Sequence, residues 1–341
     1  MTKRTRDWDA VAVPSVVLSQ TPVLQCIVDF MAADAGAPRG WWKGLASTSC
    51  SIRNAFVYLL LTNHYRPLAI TVSTVAELQH VKRCAWARHI YFLRVLLDFN
   101  EPLGVGVLPA SLRRLDLAGR FNQQLEVGVL PASLQQITLR GQFNQTLGVG
   151  VLPESLRQLT LRGQFNQTLG VGVLPESLQQ LAFGFEFNQP LGVGVLPASL
   201  QQLTFVFYFN QQLGVGVLPA SLRHLEFGEC FNQPLGIGVL PASLQQLAFG
   251  HCFNQPLGVG SLPPSLQKLT FGQCFNQPLC VGVLPDSLQQ LTFGLEFDRP
   301  FGAGVLPESL QQLTFHPTLQ FRLLAACHIP SSTRVTCLGR P

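Results

Sequence analysis

Three cysteines, Cys230, Cys252 and Cys274, stand 22 residues apart, and His251 lies beside the second. Thiolates and an imidazole are the donors of a zinc site, but a 22-residue spacing matches no zinc-ligand motif. No metal is expected. The three read as variable turn positions bearing free thiols that can pair on oxidation. Nine cysteines in all, with no C-x-x-C spacing, fit a reducing compartment better than a disulfide framework. The chain has no phosphate loop, nucleophile elbow or H-E-x-x-H motif. A serine two places after each Leu-Pro pair recurs in ten copies, which marks turn chemistry rather than a nucleophile. A chain with no catalytic activity and no cofactor is expected.

The cysteine spacing belongs to a wider clock. Phe99-Asn100, Phe121-Asn122, Phe143-Asn144 and their successors run without a slip to Phe297-Asp298, always 22 residues apart. A fixed period of roughly 20 to 30 residues is the mark of a stacked solenoid. Of the 341 residues, 47% are apolar, 9% aromatic and only 12% charged, a mixture that can bury a core and does not suit a disordered chain. The net charge of +5 is spread thinly, and the densest basic run is Lys3-Arg4-Thr5-Arg6. Nucleic acid is therefore not an expected partner. The N-terminus shows no apolar signal region, and Ala55 to Leu61 falls far short of the roughly 20 residues of a spanning helix. A soluble protein of the cytoplasm, with the nucleus allowed, neither secreted nor in a membrane, is expected.

The elements can be read from the copy Leu134 to Ser155. Ile137 and Leu139 alternate with Thr138, so this segment is a short strand with one buried face. Phe143, Leu147, Val151 and Leu152 complete the apolar side of the copy, and the rest wraps back to the next strand. One copy is too small to fold alone, so stability belongs to the array and its ends need caps.

Comparison of copies separates structural positions from free ones. The glycine at 106, 128, 150 and on to 304 never varies, whereas the one two places earlier becomes Glu126 and Cys280. The invariant glycine should need positive φ or a close backbone approach. The proline of each Leu-Pro pair, Pro109 to Pro307, cannot donate to a ladder and marks a corner. The asparagines Asn122, Asn144, Asn166, Asn188, Asn210, Asn232, Asn254 and Asn276 form a column whose amides can bond both their own turn and the neighbouring copy. Asp298 replaces the last. The outward half of the amide is then expected to be dispensable where no full copy follows.

The frame L-x-x-L-x-[LF]-x-x-x-F-N-x-x-L-x-x-G-x-L-P-x-S closely resembles the FNIP repeat, of the leucine-rich-repeat group, over about two thirds of the chain. The resemblance implies a curved leucine-rich-repeat-like solenoid, placed at residues 90–318; Leu68 to Val72, one period before the first strand and without the Phe-Asn, marks 66–89 as its N-terminal cap, and 319–341 is read as a C-terminal cap or tail. Upstream, Thr21-Pro22 followed by Leu24, Ile27, Val28 and Met31 reads as a capped amphipathic helix. Further helical segments are expected near Trp42 to Ser49 and Ile52 to Leu61. The segment from Pro22 through Phe30 and Met31, with Leu45 to Arg53, resembles a divergent F-box without its usual Leu-Pro opening. The expected class is thus α+β: a flexible N-terminus at 1–15, a helical F-box-like domain at 16–65, then a β-solenoid of ten 22-residue repeats.

Columns that vary while the frame holds locate a binding face. Phe185, Val206, Phe207 and Tyr208 set large apolar groups on adjacent copies, a pattern that suits a binding hot spot. Arg113, Arg114, Arg120, Arg140, Arg157 and Arg162 make a basic end, of which Arg140 and Arg162 are candidates for the same partner. His224, Glu226, Glu229 and His251 form a third cluster. Structural readings stand beside these: the aromatics as extra core, the arginines as a solvated edge. The F-box resemblance implies a substrate-recognition subunit of a cullin-type ubiquitin ligase, with Leu24, Ile27, Phe30 and Met31 meeting a Skp-type adaptor. The alternative is a stand-alone scaffold, monomeric on its own, whose N-terminal helices only cap the solenoid and whose face binds one protein partner.

Overall fold

A computed structural model describes residues 68–82, 90–315 and 328–337. Its strands are β1 (Leu68–Val72), β2 (Ile90–Val95), β3 (Arg114–Leu117), β4 (Gln136–Leu139), β5 (Gln158–Leu161) and β6 (Gln180–Phe183). They continue as β7 (Gln202–Phe205), β8 (His224–Glu226), β9 (Gln246–Ala248), β10 (Lys268–Thr270), β11 (Gln290–Thr292), β12 (Gln312–Phe315) and β13 (Arg334–Cys337). All thirteen form one sheet in sequence order. Neighbours pair parallel, and from β2 onward in a register of one period, Leu159 opposite Leu181 and Leu181 opposite Leu203; between β1 and β2 the register shifts by one residue after Leu68.

The expected α+β class is corrected by this sheet. The described chain is almost entirely a β-solenoid, and its one helix is α1 (Val75–Lys82), of eight residues. That helix is not a separate domain: it fills the return half of the first coil, between β1 and β2. Thr74 caps it, its hydroxyl accepting the Glu77 N–H at 3.1 Å, while the Glu77 carboxylate accepts the Ser73 N–H at 2.8 Å. Leu78 and Val81 are buried against the core. No described helix is long and apolar enough to cross a membrane. The helical domain expected at 16–65, with Leu24, Ile27, Phe30 and Met31, lies outside the described residues.

Within each coil the strand buries its second and fourth positions, as Ile137 and Leu139 do. Phe143 then closes the core, with Leu147, Val151 and Leu152. Equivalent Phe rings lie 5.9–6.2 Å apart along the column from Phe99 to Phe297. Hydrogen-bonded strands are only about 4.8 Å apart. The stack is therefore wider away from the sheet, which puts the sheet on the inner side of an arc.

The periodic polar positions hold neighbouring copies together. Each asparagine's Oδ1 accepts the backbone N–H of the next copy's asparagine, at 2.9 Å from Asn122 to Asn144 and 3.0 Å from Asn166 to Asn188. The following glutamine donates to the same oxygen, as Gln167 does to Asn144 at 3.1 Å. The outward half of the amide is thus its oxygen, which Asp298 retains. Serine bonds between stacked layers: Ser155 Oγ donates to the Leu134 carbonyl at 2.6 Å, and Thr333 repeats this on Leu310 at 2.8 Å. Proline behaves as a corner, Pro153 accepting the Leu156 N–H at 3.0 Å. The invariant glycine has positive φ in all ten copies, 80° at Gly150. It occupies the third position of a tight turn in which the Val151 N–H meets the Gly148 carbonyl at 3.3 Å.

Candidate functional site on the sheet face

The first and third positions of each strand face outward. Most are Gln, Thr or Ala, but β8 supplies His224 and Glu226, and β10 supplies Lys268. Strands β7 to β10 line an open hollow of about 440 Å³, walled by Gln202, Thr204, His224, Glu226, Gln246 and Lys268 among others. Glu226 and Lys268 are exposed and form no ion pair with a described residue. They sit two strands apart across uncharged Gln246 and Ala248. His224 Nδ1 is buried and has no hydrogen-bond partner among the described residues. Burial, then the Arg223 guanidinium, lowers its pKa from 6.5, so the imidazole is neutral at neutral pH.

An aromatic lip borders the hollow at the end of β7. Phe207 packs edge-on against Tyr208 with centroids 4.7 Å apart, and Phe185 of the preceding copy lies 5.9 Å from Phe207. Phe185 is 52% and Tyr208 46% exposed, while Val206 and Phe207 are half-buried. Local backbone geometry explains why bulk is present here. After β3 to β5 the turn uses Gly119, Gly141 and Gly163, whose φ values are 67°, 71° and 93°. From Gly184 onward the glycine moves one place earlier, and a Cβ on Gly228 or Gly250 would meet the preceding copy's backbone within 3 Å. The turn Val206-Phe207-Tyr208 has glycine at neither place.

The two arginine candidates separate. Arg140 is half-buried, its Nε bonding Asp116 Oδ1 at 3.0 Å and its Nη2 bonding Oδ2. Arg94 reaches the same carboxylate from the other side at 3.1 Å, so the buried Asp116 is clamped by two guanidinium groups. Arg162 is exposed. Arg114 stacks over the Phe92 ring at 5.1 Å, and Arg120 meets Asp98 at 3.5 Å.

Cys230, Cys252 and Cys274 occupy the same half-buried turn position after β8, β9 and β10. Burial pushes the Cys230 and Cys274 thiols up, helped by the negative charge of Glu229 and Glu296 respectively. Among the described residues, no group of three or more His, Cys, Asp or Glu is arranged to hold a metal ion.

The FNIP Repeat family matches five consecutive spans, 99–141, 143–186, 187–230, 231–274 and 275–317. The chain belongs to this family. Each span holds two of the 22-residue copies, so the family unit is a pair of coils. Among solved structures, the FNIP chain is similar to CroV588, described as a novel circular leucine-rich-repeat protein, with 38% identity and a TM-score of 0.63. That match covers 73% of this chain and 40% of CroV588, so the FNIP chain spans well under two thirds of that relative's length. An internalin from Listeria monocytogenes matches at 14% identity and TM-score 0.42, over 86% of this chain and 96% of the internalin. A comparison with curated proteins gave no match. The FNIP array is a leucine-rich-repeat-like scaffold: its repeated side chains make inter-copy bonds, and what varies is a surface.

Two features of the FNIP surface escape a reading by motif. Lys268 is the one lysine after Lys82, standing in a column of glutamines, and that break in the column was the available signal. The other is an exposed aliphatic column, Val105 to Val281 with Ile237 in its series, 62–73% exposed on the turns away from the sheet. It was hidden because Val149 and Val151 look alike in sequence, yet only Val151 is buried.

Proposed function

We propose that the chain is a stand-alone scaffold that binds one protein partner across the sheet face between β6 and β10. The observation that carries this reading is the exposed aromatic lip of Phe185, Phe207 and Tyr208 beside the polar hollow. Aromatics supply large contact area at small entropic cost, and such anchors dominate binding energy when a partner covers them. Glu226 and Lys268, two strands apart in the hollow and in no ion pair with a described residue, favour a partner with charges of both signs. Arg162 extends the face, whereas Arg140 is engaged with Asp116. The cullin-ligase reading rests on residues 16–65, and no observation on the described residues favours it.

The test is differential capture with the full chain. Proteins cross-linked to wild type should be lost on Phe185→Ser with Tyr208→Ser, and kept on Val193→Ser, which changes the opposite side. Capture unchanged by the aromatic double variant would sink the proposal. Recovery of a Skp-type adaptor that disappears on Leu24→Asp with Ile27→Asp would replace it with the ligase reading.

A further inference from the structure

The thiol column holds an inference that does not depend on any partner. Backbone bonding between copies continues through these turns: the Cys252 N–H donates to the Glu229 carbonyl at 2.8 Å, and the Cys274 N–H to the His251 carbonyl at 2.9 Å. Equivalent backbone positions on adjacent strands lie about 4.8 Å apart, inside the roughly 4.4–6.8 Å that a disulfide spans between Cα atoms. The three thiols are not equivalent. Cys274 Sγ lies 3.9 Å from Glu296 Oε1 of the following copy, which leaves Cys230 and Cys252 as the adjacent pair. All three are half-buried, which leaves them reachable by a small reagent.

We propose that Cys230 and Cys252 are a disulfide-forming pair, oxidised by a small-molecule disulfide such as glutathione disulfide, and that the bond staples two adjacent copies at the rim of the hollow. One cysteine thiolate attacks a sulfur of the reagent, forming a mixed disulfide and expelling the first glutathione thiolate. The other cysteine thiolate then attacks the protein sulfur of that mixed disulfide and expels the second. The protein loses two electrons and two protons, and the reagent leaves as two glutathione molecules. The closed loop runs from residue 230 to residue 252 and constrains the unfolded chain. Cys274, held toward Glu296, stays outside the pair.

The sequence supplies a clean assay. Trypsin cuts after Arg223 and Lys268 with no site between them, so one peptide, 224–268, contains both cysteines. Cys274 and Cys280 lie in the peptide that begins at Leu269. The full chain is incubated with glutathione disulfide at about pH 8, then alkylated and digested without reduction. The expected product is peptide 224–268 two hydrogens lighter and unalkylated, in wild type and in Cys274→Ser, but not in Cys252→Ser. The oxidised chain should also melt about 4 °C or more above Cys252→Ser treated identically. Exposed Cys280 reports that the reagent acted. Alkylation of both thiols in 224–268 while Cys280 is modified would overturn the proposal. So would a cross-link to the Leu269 peptide, a lasting glutathione adduct on either cysteine, or an unchanged melting temperature.

Discussion

The side-chain oxygen of Asn188 accepts the backbone N–H of Asn210 at 3.0 Å and the Gln211 side-chain amide at 3.1 Å, so one atom joins two copies. Removing it strands a part-buried N–H. Asn188→Leu should cost about 1–3 kcal/mol of unfolding free energy, the usual penalty for an unsatisfied donor. Asn188→Asp keeps an acceptor and should cost clearly less. Urea titration of the two variants checks this, and equal losses would show that the oxygen is not the linking atom.

Two glycines eight residues apart should respond oppositely to a methyl group. A Cβ on Gly250 would lie 2.2 Å from the Gly228 carbonyl oxygen, while one on Gly258 would meet nothing within 4 Å. Gly250→Ala should lower the melting temperature markedly through backbone displacement. Gly258→Ala should be neutral or raise stability by about 0.5 kcal/mol by restricting the unfolded chain. Thermal melts of the pair decide it.

The arginine candidates should part in the same way. Arg140→Ala takes away two bonds from the buried Asp116 and should cost about 1–3 kcal/mol. Arg162→Ala, at an exposed site, should stay within about 0.5 kcal/mol. If both variants melt together, the Asp116 clamp contributes nothing.

His224 gives a pH signature. Its folded pKa lies below 6.5 because burial and Arg223 disfavour the imidazolium. Below that pH the unfolded chain takes up the proton more readily than the folded one, so stability falls as pH drops, and is unaffected above it. His224→Gln, matching the rest of its column, should abolish that part of the acid loss. Urea midpoints of both proteins from about pH 7.5 down to pH 5 test the sign, given an ordinary histidine near 6.5.

The parts of this protein that repeat were the parts a reader of sequence could see. Strand register, the positive φ of Gly150 and the corner at Pro153 each follow from a property of one residue type sampled ten times. Bond partners were harder. Ser155 looked like a residue serving its own turn, yet its acceptor, Leu134, lies 21 residues back, one layer down the stack. Arg140 looked free because Asp116 sits 24 residues away, one period plus two, and only the stacked register brings them together. The class was misread for a related reason: a helical pattern upstream was weighed as a domain, whereas the helix within the described chain, Val75–Lys82, is a substitute half-coil held to the sheet by Leu78 and Val81. Of the site, the aromatic positions were legible as interruptions of a column. The hollow was not, because it arises only where the four strands β7 to β10 lie side by side.

The mismatch between ring spacing and strand spacing makes copy number a ruler. Each added coil turns the inner face by one further increment without altering any bond inside a coil. Duplication or loss of a unit would therefore retune the radius of object that the face can embrace while leaving its local chemistry untouched. A protein built this way can change the girth of what it grips without redesigning its grip.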